Sequence, residues 1–106
     1  MLCAHTVRRL KPGSFEAFTE AFKPDDEGDL PQGWVRFHAL RGLADENEVV
    51  TFGFFDGTIE ELERSQDDDD GYRKQRAAIE PYVDAVIANG VYEITETWVR
   101  EGARAT

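Results

Sequence analysis

Between Glu48 and Asp56 the chain reads Glu-Val-Val-Thr-Phe-Gly-Phe-Phe-Asp, and both alternating sets are apolar, Val49/Thr51/Phe55 on one and Val50/Phe52/Phe54 on the other. β-branched and aromatic residues favour an extended chain, which sends successive side chains to opposite faces. This strand therefore needs cover on two faces. A small chain can supply one cover from its own helices, and the pattern predicts that the second comes from another copy.

The other elements fall around it. Leu2 to Arg9 reads as a first strand, with Leu2, Ala4, Thr6 and Arg8 opposite Cys3, His5, Val7 and Arg9. Pro12-Gly13 supplies a turn, Ser14 an N-cap, and Phe15, Phe18 and Phe22 a helical stripe beside Ala17 and Ala21 that ends before Pro24. The proline-, glycine- and acid-rich stretch from Pro24 to Gly33 predicts a loop. Trp34 to Arg41 predicts a second strand, turned by Gly42 to Asn47 into the strand at Glu48. Thr58-Ile59-Glu60-Glu61 is a capping box opening a helix to about Gln66. Asp67 to Asp70 and Gly71 then predict a solvated loop, since the spacing of a calcium loop is missing. A further helical stretch carries Tyr72, Ile79, Tyr82, Val83, Val86 and Ile87, kinked or restarted at Pro81 and closed by Asn89-Gly90. Val91 to Arg100 is the predicted last strand, with Tyr92 and Trp98 on one face, and Glu101 to Thr106 a frayed polar tail.

At 106 residues the chain has room for one core, so residues 1–106 are read as a single domain. The 22 acidic against 12 basic residues give a formal charge of −10, which repels phosphate backbones and anionic lipid and argues against nucleic acid as a partner. A lone cysteine, Cys3, forms no internal disulfide, and no structural-zinc spacing is present. Without a signal-like start or a membrane-length apolar run, the expectation is a cytoplasmic protein that does not engage membranes.

The order β-α-β-β-α-β predicts the α+β ferredoxin-like arrangement, a four-stranded antiparallel sheet with helices on one face. Aromatics on the uncovered face exceed what a soluble monomer ordinarily exposes, so face-to-face homodimerisation is expected. Three segments carry a family resemblance: Val7-Arg8-Arg9-Leu10-Lys11-Pro12-Gly13 followed by Phe15-Glu16-Ala17-Phe18, Val49 to Asp56 leading into a helix, and Pro81-Tyr82-Val83. The chain thereby resembles the dimeric α/β-barrel proteins related to antibiotic biosynthesis monooxygenases. That resemblance implies a dimeric α/β barrel with a small-molecule cleft between sheet and helices. The family's functions are scattered over cofactor-independent monooxygenases of aromatic polyketides, haem degraders, isomerases, stress-related proteins and members without known activity.

Its haem degraders use an asparagine on the first strand, a tryptophan on the third and a histidine on the second helix. This chain offers His5 or Thr6, Phe52 or Phe54, and no histidine between Gly57 and Asn89, so it departs at all three positions. The resemblance therefore points to a monooxygenase-like protein acting on or binding an aromatic small molecule without cofactor or metal. The alternative is a non-catalytic ligand-binding or stress-related member. As catalytic candidates, His5 has an imidazole able to take a phenolic proton near neutral pH, and Arg36 a guanidinium able to steady an enolate or phenolate. Trp34, His38, Phe52, Phe54, Tyr72, Tyr82 and Trp98 are candidates for the pocket lining, though an aromatic is more often plain core, since aromatics carry much of a small domain's burial.

Overall fold

The computed structural model describes residues 1–24, 30–68 and 70–102. In chain order it contains β1 (Leu2–Leu10), α1 (Phe15–Phe22), β2 (Trp34–Arg41), β3 (Glu48–Phe55), α2 (Ile59–Asp68), α3 (Asp70–Ile79), a 3-10 turn (Glu80–Tyr82) and β4 (Val83–Glu93). The strands form one sheet in the order β2-β3-β1-β4, and every pair is antiparallel. This is the α+β ferredoxin-like arrangement that the element order predicts, with β1 and β3 central and β2 at an edge. The β2–β3 hairpin has the predicted bounds.

Register divides the sheet into two faces. On one, Arg8 stands opposite Val49, Thr6 opposite Thr51, Ala4 opposite Gly53 and Leu2 opposite Phe55. The helices cover this face: Leu10, Phe18, Val49 and Ile79 form a buried cluster, with Phe15, Ala21, Phe22, Tyr82 and Val83 packed against it, and Phe55 and Leu62 are buried as well. Phe18 and Val49 are fully buried, and a Phe18-sized side chain removed from water contributes up to about 3 kcal/mol. The other face carries Cys3, His5 and Val7 of β1 against Phe54, Phe52 and Val50 of β3, and no helix among the described residues lies over it.

The last third of the chain departs from the sequence reading. Helix ends at Ile79, Pro81 enters the 3-10 turn, and Val83 is already extended. The Tyr82 carbonyl accepts from the Lys11 amide at 2.9 Å, tying the turn to the end of β1. Asn89 and Gly90 do not cap a helix; they lie inside β4 opposite Thr6 and His5, and neither has a left-handed backbone. The reason is bulging. Two register shifts against β1 put Asp84 and Ile87 out of step, so the helix-side positions of β4 fall at Val83, Val86, Asn89 and Val91. Spacings of three, three and two imitate a helical stripe. The segment from Thr95 to Arg100, expected as strand, has no regular structure.

Smaller differences concern helix ends. Ser14 precedes α1 but makes no side-chain cap bond. The aspartate run is largely helical rather than a loop: α2 continues through Asp67 and Asp68, and α3 starts at Asp70, which pairs with Arg73 at 3.0 Å. An acid in a first turn is favoured by the exposed amides there. The core of the loop expected from Pro24 to Gly33 and the end of the expected tail lie outside the described residues. No helix among the described residues is long and apolar enough to cross a membrane.

Candidate functional site

The residues picked out from sequence separate onto the two faces of the sheet. His5, Arg36, His38, Phe52 and Phe54 share the face without helices. There the His38 ring stacks on Phe52 at 4.8 Å and meets Phe54 edge-on at 6.1 Å, the Arg36 guanidinium lies 4.8 Å over Phe54, and His5 meets the Tyr92 ring edge-on at 6.1 Å. His5 and Arg36 thus do not border the cleft between sheet and helices, which corrects the placement expected for the catalytic pair. The same correction applies to His38, Phe52 and Phe54 as lining of that cleft. The cause is alternation: His5 is odd-numbered in β1, and the even set Arg8–Leu10 meets the helices. On this open face Arg36 Nε and His38 Nε2 are buried without a hydrogen-bond partner among the described residues. Cys3 lies on it too, and burial pushes its thiol pKa up.

Trp34, Tyr72 and Tyr82 are on the helix side. Tyr82 packs against the core, and Tyr72 sits half-buried on α3. Trp98 is 84% exposed beyond β4 and packs into no cleft between sheet and helices among the described residues, which corrects its expected place in the pocket. Trp34 opens β2 at a groove of about 730 Å³ between the sheet edge and α2, lined by Gln32, Gly33, Val35, Phe55, Asp56, Glu61, Arg64 and Ser65 beside it. The indole stacks on Phe37 at 4.8 Å, meets Phe55 edge-on at 5.1 Å and donates from Nε1 to Ser65 Oγ at 3.1 Å. A bulge between Trp34 and Arg36 in the pairing with β3 turns the ring to this side. Gly33, at φ +93°, lets the backbone pass against the Phe55 ring. The groove thus offers an aromatic wall, a hydroxyl and charges of both signs.

Further along the helix side lies a residue the sequence reading did not single out. Arg8 donates from Nη1 to Thr51 Oγ1 at 2.6 Å and lies 5.6 Å over the Phe18 ring. Burial lowers its pKa, the field of Arg76 adds to that, and Tyr72 opposes it. Among the described residues Arg8 forms no ion pair. The available signal was its place in the same alternating set as Leu10, where an arginine is out of keeping with a core-facing row. Ser65 gave no such signal.

No protein-family profile and no curated protein sequence matches the chain. Solved structures do. A candidate antibiotic biosynthesis monooxygenase from Chloroflexus aurantiacus superposes with a TM-score of 0.75 at 12% identity, over 92% of this chain and 96% of the other. One from Nitrosomonas europaea gives 0.74 at 18% identity, over 91% of this chain and 100% of the other. SnoaB, a cofactor-independent oxygenase from Streptomyces nogalater, gives 0.66 at 19% identity, over 91% of this chain and 94% of the other. The fold is that of the antibiotic biosynthesis monooxygenases. At such identities the likeness concerns the path of the chain, and chemistry has to be argued from the side chains. In this monooxygenase-type frame, the chain presents a groove beside Trp34, a guanidinium at Arg8 and an uncovered aromatic face.

Proposed function

We propose that the protein is a homodimer that takes an aromatic small molecule into the groove between the sheet and α2, in the manner of a cofactor-independent monooxygenase. The observation that carries this reading is the groove of about 730 Å³ walled by Trp34 and Phe55. That volume lies within the range of small-molecule sites, and an indole held in place by Ser65 offers a face for stacking at little cost in side-chain entropy. In a cofactor-free oxygenation the substrate itself, as an enolate or phenolate, supplies electrons to dioxygen. One oxygen atom enters the product and the other leaves as water. The protein's part is to orient the ring and favour the anion. The groove supplies Arg64 for the anion and Asp56 as a proton acceptor, while Glu61 is already turned to the Thr58 amide at 3.1 Å.

The homodimer forms through the open face, where Leu40 is 47% and Tyr92 56% exposed in a single copy. A second reading, binding without catalysis, is favoured by one observation: neither histidine lines the groove. The two are separated by one experiment. In a Trp98→Phe background, Trp34 is the sole tryptophan, and titration with 1-naphthol and with an anthrone should quench it saturably. Oxygen uptake accompanying anthrone binding supports catalysis; saturable quenching without uptake leaves the binding protein. No saturable quenching by either ligand refutes both.

A further inference from the structure

The open face of the sheet holds an imidazole where a second charge would be costly. His38 of β2 stands opposite Phe52 and stacks on that ring at 4.8 Å, with Phe54 edge-on at 6.1 Å. Its Nε2 is already withdrawn from water and has no partner among the described residues. Arg36 is two residues back on the same strand face, about 7 Å away, and its guanidinium takes the face of Phe54 at 4.8 Å. A proton on His38 would therefore add a cation beside a cation, among rings.

Nothing close by on this face offsets it. Its strand positions carry Cys3, His5, Val7 and Arg9 of β1, Arg36, His38 and Leu40 of β2, Glu48, Val50, Phe52 and Phe54 of β3, and Ala85, Ala88, Gly90 and Tyr92 of β4. Glu48 is the one carboxylate in that set. It stands opposite Arg9, four residues from Phe52 and about 13 Å along the strand from it. Arg9 is itself paired with Asp45 at 3.2 Å, and His5 meets the Tyr92 ring on the far side of β1. In a single copy, water reaches the face and screens an added charge. Between two copies it would not, and a buried charge without an opposite partner is disfavoured.

We propose that His38 is a proton switch on the homodimer: neutral, it lets the two aromatic faces close, and protonated, it forces them apart. This rests on the homodimer proposed above. The sign follows from linkage: separated chains take up a proton that the closed face refuses, so association is strong above the range in which an imidazole titrates and weakens as pH falls through it. The charge of the whole body pulls the other way, because protonation brings the net −10 nearer to zero and eases repulsion. The two causes thus differ in direction.

The test is sedimentation equilibrium of the full chain at pH 8.0 and pH 5.5 in 0.15 M salt, with far-ultraviolet circular dichroism at both. The dissociation constant should rise about tenfold or more at pH 5.5, with one proton gained per copy and the circular dichroism unchanged. His38→Phe keeps a ring on Phe52 without a titrating nitrogen, and should stay dimeric at both pH values. His5→Gln should keep the dependence of the parent. A dimer equally tight or tighter at pH 5.5 overturns the switch and leaves the homodimer standing. So does a dependence that survives His38→Phe or vanishes with His5→Gln, or release accompanied by lost circular dichroism, which would be acid unfolding. Single chains at both pH values overturn the switch and the homodimer together.

Discussion

At single positions the fold rests on close approaches that tolerate no added atom. Gly33 has a left-handed backbone, and a Cβ there would be driven into the Phe55 ring. Gly33→Ala should cost about 1–3 kcal/mol from overpacking and about 1–2 kcal/mol more from the backbone, read as a lowered Tm. A melting point unchanged within a degree would mean that the loop passes Phe55 at a greater distance. Cys3 tests burial in another way. Its raised pKa keeps the thiol protonated past the ordinary cysteine range, so alkylation by iodoacetamide at pH 8 should be slower than for a free cysteine in an unfolded control. The linked stability has the matching sign: it is fully present below the unfolded thiol pKa and is lost as pH rises through the higher folded value. Rates equal to the unfolded control across pH 7–10 would contradict this. Cys3 and His5 also mark what alternation can tell. Their shared face was legible from the sequence, but with Val50, Phe52 and Phe54 as apolar as the opposite set, nothing in the pattern said which face the helices would choose. For that reason the candidates His5 and Arg36 lie on the face opposite to the one expected.

Helix starts show how far a local motif carries at the scale of an element. Thr58 and Glu61 make the reciprocal bonds of a capping box, amide to carboxylate at 3.1 Å and amide to hydroxyl at 3.2 Å. Ser14 sits at the equivalent place before α1 and makes no such bond. Thr58→Ala should therefore destabilise by about 1 kcal/mol, while Ser14→Ala should stay within about 0.5 kcal/mol of the parent. Urea unfolding of the two variants measures the difference, and equal losses would show that the motif at Thr58 contributes nothing of its own. The β2–β3 hairpin and α1 were likewise legible, because each has a clean period and a clear turn. β4 was not. Its bulges at Asp84 and Ile87 spread the helix-side residues to helical spacing, and Asn89-Gly90 then looked like a terminator when it is the middle of a strand. Bulges arise from the partner strand's register, which no window of β4 alone contains. Reading the last strand eight residues late carried Trp98 into a pocket it does not touch.

For the molecule as a whole, the homodimer proposed above would form through the open face. His38, Phe52 and Phe54 form an aromatic cluster there, with Arg36 over Phe54 and two buried nitrogens lacking partners among the described residues. A second copy set against this face by a two-fold axis would bury the rings and bring acceptors to Arg36 Nε and His38 Nε2. Net charge works against it, since each copy carries −10. Association should therefore tighten as salt rises: the Debye length falls from about 30 Å at 0.01 M to about 8 Å at 0.15 M, and repulsion between the acidic bodies fades while the apolar contact persists. Sedimentation equilibrium at micromolar protein should find twice the single-chain mass at the higher salt. Phe52→Glu should release single chains there, by placing a carboxylate among the rings without disturbing the helix-side core. A lone parent chain at every salt concentration, or a Phe52→Glu variant that associates as the parent does, would leave the aromatic face without the occupant argued for it.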